Sequence, residues 1–83
     1  MILKNPRDKK IYDYIMKDIE TNGKNYSTLT NTIISKELDI SPVTVRDKVI
    51  KLAKQGYFIS LINHFDENDK YFNRKLLRGN IAG

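Results

Sequence analysis

Apolar residues recur along this chain at two different periods, and the change from one to the other sets out its elements. From Pro6 onward, Ile11, Tyr12, Ile15, Met16 and Ile19 return at helical spacing and make one apolar stripe. Asn5 suits the N-cap of that helix and Pro6 its first position, where a missing N–H costs nothing. Asp8 falls in the first turn, where the helix dipole favours negative charge. The pattern predicts a first helix over 6–22, stopped by Gly23 in the left-handed conformation that glycine adopts without strain. Tyr26 to Leu29 is a short run able to pair as an edge strand. A second helix is expected over 31–38, with Thr30 as its N-cap and Leu29 and Ile34 at the spacing of a hydrophobic staple. Ile33, Ile34 and Leu38 would form its buried face. The third helix runs over 42–55: Ser41 caps it, Pro42 fixes its first turn, and Val49 and Leu52 fall within about 40° of Val45. Val43, Asp47, Lys51 and Lys54 stand on the opposite side, with Thr44 beside them.

After Gly56 the period changes. Tyr57 to Asn63 and Tyr71 to Leu77 are rich in aromatic and β-branched residues, and the polar stretch His64 to Lys70 is long enough to turn between them. Such a strand pair buries Ile59, Leu61, Phe72 and Leu76, or takes the opposite register, because Phe58 and Ile62 compete for the same face. The class is α+β, three helices with a two- to three-stranded antiparallel wing, in one domain over residues 1–83.

Composition narrows the function. A chain of 83 residues has room for one domain, and the absence of cysteine excludes disulfides and thiolate metal sites. No apolar run approaches the roughly 18 residues of a membrane span, so a cytoplasmic protein is expected. His64 stands alone, without a cysteine or paired motif around it. The chain has no phosphate-binding glycine loop and no zinc spacing. Its Asp-Glu-Asn-Asp run lacks the ligand spacing of a calcium loop. These readings point away from an enzyme and give no sign of a metal, a cofactor or a small-molecule ligand.

Charge points toward a partner. Fifteen basic residues against ten acidic give a net +5, which favours a polyanion through Coulomb attraction and counterion release. The excess is local. Between Ser41 and Lys54 stand Arg46, Lys48, Lys51 and Lys54 against Asp47 alone, whereas Asp66, Glu67 and Asp69 crowd the turn between the strands.

Leu38-Asp39-Ile40-Ser41-Pro42 joins the second and third helices so tightly that they must cross steeply, which is helix-turn-helix geometry. The sequence Ile34-Ser35-x-x-Leu38-Asp39-Ile40-Ser41-Pro42-x-Thr44-Val45-x-x-x-Val49-x-x-Leu52-x-x-x-Gly56-Tyr57 resembles the winged helix-turn-helix pattern. It is similar to the DNA-binding domain of the SOS-response repressor, to multiple-antibiotic-resistance-type regulators and to plasmid replication initiators. Ser35 matches the small residue that lets the helices approach. Asp39 departs from the glycine usual in that turn, although aspartate tolerates positive φ better than most residues.

The resemblance implies duplex DNA as the partner, with the third helix in the major groove. Its role would be in transcription or in plasmid or phage replication, transfer or segregation. A homodimer on paired half-sites is a compatible assembly. Base contact is then expected from Val43, against a thymine methyl, from Thr44, and from Asp47, which either accepts from a cytosine amino group or pairs with Arg46 or Lys51. Ser41, Arg46, Lys48, Lys51, Lys54, Arg74 and Lys75 are the expected phosphate contacts. The acidic tip is expected to stay off the phosphates, with Asn63, His64 and Asn68 still able to touch a groove. The competing reading is a winged-helix protein-interaction module, which generally lacks a basic outward face on the third helix.

Overall fold

The computed structural model describes residues 3–64 and 72–81, and at 62–64 and 72–73 it describes the backbone alone. The elements are α1 (Pro6–Thr21), β1 (Tyr26–Ser27), α2 (Asn31–Leu38), α3 (Pro42–Lys54), β2 (Phe58–His64) and β3 (Phe72–Arg78). The strands form one antiparallel sheet in the order β1-β3-β2. This is an α+β layout compatible with a winged helix. Among the described residues, no helix is long and apolar enough to cross a membrane.

Each helix starts and stops for local reasons. The side chains of Asn5, Thr30 and Ser41 accept from backbone N–H groups of the first turns that follow them, satisfying donors that have no partner within the helix. Gly23 follows α1 at φ 73 and Gly56 follows α3 at φ 94. At the end of α3, Gly56 N donates to Ala53 O and Tyr57 N to Leu52 O, the paired bonds that close a Schellman motif. Asp39 ends α2 at φ 54, so aspartate does serve where glycine is usual. The following Ile40 N donates to Ser35 O at 3.1 Å, while the Ser35 hydroxyl donates back to Ile40 O. Ser35 therefore fastens the turn, a role beyond its small size.

The core gathers Ile11, Tyr12, Ile15 and Ile19 of α1, Ile34 of α2, and Val45, Val49 and Leu52 of α3 against Tyr57, Phe58 and Leu76. The buried face of α2 is narrower than its sequence suggests: Ile34 is fully buried, Leu38 is half-buried and Ile33 is 44% exposed. The sheet decides between the two registers. Phe58 pairs with Arg78, Ser60 with Leu76 and Ile62 with Arg74, so the even-numbered residues of both strands share a face. Phe58 and Leu76 carry that face into the core, and Ile59 and Leu61 point away from it, 44% and 47% exposed. Phe58 prevails because it comes straight off the reversal at Gly56, where its ring packs 5.3 Å from that of Tyr12. The expected burial of Phe72 falls on a side chain outside the described residues. The edge strand is also shorter than expected. Ser27 Oγ accepts from Leu29 N at 3.2 Å, turning the chain toward α2 after two paired residues.

Backbone meets backbone where β3 leaves the sheet. Gly79 N donates to Tyr57 O at 3.0 Å and Ile81 N to Gly56 O at 3.1 Å. A Cβ on Gly79 would stand 2.0 Å from Gly56 O, and neither chain can yield without breaking these bonds. Gly79→Ala is expected to lower unfolding free energy by about 2 kcal/mol in urea melts, the usual scale of overpacking a tight contact.

Candidate nucleic-acid interface

α3 presents three different faces. Val45, Val49 and Leu52 enter the core. The outward strip carries Val43, 58% exposed, and Ile50, 48% exposed, together with Arg46, Asp47 and Lys54. Arg46 Nη2 lies 3.3 Å from Asp47 Oδ1, both side chains being mostly in solvent, so this pair is weak and open to exchange. At the helix start, Ser41 Oγ accepts from Thr44 N at 3.2 Å and donates to Thr44 Oγ1 at 2.9 Å. These bonds hold both hydroxyls at the cap, and Thr44 is half-buried. Ile50 joins the strip as a residue not expected from the sequence. Its signal was there, since it follows Val43 by seven residues and precedes Lys54 by four, which places all three on one face.

The third face holds an ion cluster. Asp8 of α1 is only 2% exposed. Its Oδ1 lies 3.0 Å from Lys48 Nζ and its Oδ2 lies 2.8 Å from Lys51 Nζ. Burial alone would raise the Asp8 carboxyl, but the hydrogen bond from Lys51 and the charges of Lys51 and Lys48 outweigh it and hold it below the ordinary carboxylate value. Lys48 and Lys51 were expected at phosphates. Instead both ammonium groups face α1, because their helical positions lie between the core face and the outward strip. The Lys48 side chain is 22% exposed and the Lys51 side chain 46%. The clue was Asp8 itself: it precedes Ile11, Tyr12 and Ile15 at helical spacing, and a carboxylate on an apolar stripe needs a cation.

On the sheet, Arg74 and Lys75 part company. Arg74 shares the inner face with Leu76, and its Nη1 and Nη2 donate to Asn31 Oδ1 at 2.6 Å and to Leu29 O at 2.7 Å. Burial pushes its pKa below the ordinary arginine value, yet a guanidinium in a protein keeps its proton. Lys75 points from the other face, where its Nζ stands 4.7 Å over the Tyr26 ring. One surface resting on α3 and Arg74 therefore does not include Lys75. The acidic tip with Asp66, Glu67 and Asp69, like Asn68, lies outside the described residues, as do the side chains of Asn63 and His64.

The site thus brings together Val43, Arg46, Asp47, Ile50 and Lys54, places Arg74 on the side of the sheet that faces α3, and turns Lys48, Lys51 and Lys75 elsewhere. Asp8→Asn would leave two lysines beside a neutral amide, and urea melts at pH 7 should register a loss of about 2 kcal/mol, the half-exposed Lys51 discounting the full cost of breaking a buried pair. The native cluster contributes fully above the ordinary aspartate value of 3.8, and its contribution disappears as pH falls through the lower value of the folded state. The stability difference between native and Asp8→Asn proteins should accordingly close on acidification below that value. Compared with protein-family models, curated proteins and solved structures, the chain matches none.

Proposed function

We propose that the chain binds duplex DNA in a sequence-dependent manner, with α3 laid in the major groove, as a transcription regulator or an accessory factor in replication, transfer or segregation. The observation that carries this reading is the outward strip of α3. Exposed Val43 and Ile50 alternate there with Arg46, Asp47 and Lys54, a mixture able to meet thymine methyls, base amino groups and phosphates together. Val43, Asp47 and Ile50 are assigned to bases, Thr44 helping at the helix start, and Arg46 and Lys54 to phosphates. Arg74 is already held in place by Asn31 and Leu29, so little side-chain entropy remains to be lost when it meets a phosphate.

A second reading takes the same strip as a protein-docking face. It is favoured by the apolar pair Val43 and Ile50, which stand among fewer free cations than the sequence promised, Lys48 and Lys51 being held by Asp8.

Titration of a duplex library at several salt concentrations separates the two. Binding should weaken steeply with salt, and Arg46→Ala and Lys54→Ala should each lower the logarithmic salt slope by about 1. Val43→Ala and Ile50→Ala should instead change the preferred sequence at little cost to the slope. Asp8→Asn, which releases two lysines, should bind all sequences more tightly with a steeper slope. A salt-independent interaction, or none at low salt, sinks the DNA reading and leaves the docking one.

A further inference from the structure

A cleft of about 300 Å³ lies between α3 and the strand pair, at the small end of ligand pockets. Val49, Ile50 and Ala53 give it an apolar wall, while Arg46, Lys54 and Arg74 bring three cations to it. No acidic residue lines it among the described residues. Among the described residues, the Arg74 guanidinium meets only neutral acceptors, Asn31 Oδ1 and Leu29 O, and its buried Nε has no hydrogen-bond partner. A cation partly withdrawn from water without a counter-ion is electrostatically uncompensated. The start of α2 at Asn31, where the helix dipole is positive, adds to the same potential.

The two halves of the cleft ask for different things. A bare inorganic anion would satisfy the charge and gain nothing from Val49, Ile50 and Ala53. A neutral apolar molecule would cover that wall and leave Arg74 uncompensated. We propose that the cleft binds a small organic monoanion, a carboxylate on a short apolar body, with its charge toward Arg74 and its body against Ile50 and Ala53. This assignment rests on the cleft itself and does not require the DNA reading. If α3 does read DNA, the two ligands compete, because Arg46, Ile50 and Lys54 belong both to the cleft and to the outward strip. The site would then make DNA affinity depend on a metabolic acid.

Three probes test the assignment by two-dimensional NMR of the full chain: hexanoate, which has both features, acetate, which has only the charge, and hexanamide, which has only the body. Hexanoate should shift the amides of Ile50, Ala53 and Ser60 and the Arg74 Nε–H saturably, at concentrations on the order of millimolar for so small a ligand. Acetate and hexanamide should bind at least about tenfold more weakly. Ala53→Glu, which tethers a competing carboxylate at the wall without altering helix propensity much, should abolish the hexanoate shifts while the rest of the spectrum stays native. The proposal is overturned if either control probe matches hexanoate, if the shifts scatter over exposed lysines, if no saturation appears, or if Ala53→Glu binds hexanoate unchanged. Duplex binding is measured separately. A chain that binds DNA but not hexanoate refutes only the cleft, and one that binds hexanoate but not DNA refutes only the proposed function.

Discussion

One buried carboxylate governs how the positive charge of this protein is distributed. Asp8 sits in the first turn of α1, on the line of the apolar stripe, and draws Lys48 and Lys51 of α3 onto itself. Apolar contact between two helices is non-directional, so it permits many crossing angles of similar energy. Two ammonium groups converging on opposite oxygens of one carboxylate add a directional constraint between α1 and α3. The same contact divides α3 into a core face, an ionic face and an outward strip, so its four cations do not pool into one basic surface. The outward strip is left with Arg46 and Lys54 as its cations, beside the exposed apolar side chains of Val43 and Ile50.

Two of the polar contacts that join the sheet to the helices frame the cleft. At the base of the sheet, the bare Cα of Gly79 lets its backbone lie on that of Gly56 and Tyr57 beside the end of α3. Higher up, Arg74 reaches from β3 to Asn31 and Leu29, linking the strand pair to the start of α2. Between these two ties the sheet stands off from α3, and that separation is the cleft. Its apolar wall and its cations have the same origin: Val49 belongs to the core stripe, Ile50 and Lys54 belong to the outward strip, and the gap opens along the border between them.

Local rules made the helices legible in the sequence. Capping residues and helical spacing place α2 over its full length, and α1 and α3 to within one residue at their C-terminal ends, because each depends on neighbours in the chain. The strand register was not legible. Phe58 and Ile59 satisfy a period of two equally well, and the choice was made by Tyr12, a residue far away in sequence. The same limit applied to the site. Val43, Asp47 and Ile50 fall on an outward face from helical geometry alone. The fates of Lys48, Lys51 and Arg74 depended on Asp8, Leu29 and Asn31. Each of these contacts joins residues about forty positions apart, and no period records it.

The sheet order leaves β2 at an edge. Its described side chains from Phe58 to Leu61 carry no charge, and two of them, Ile59 and Leu61, face solvent. Edge strands of this kind are commonly guarded by a lysine or a proline in the strand itself. Here the guard is global, the net +5 that every copy carries. Such protection acts through long-range repulsion between molecules and fades as salt shortens its reach. The charge on which the proposed DNA binding relies therefore also sets copies of the chain against one another, and neutralising it would leave this edge open to pairing.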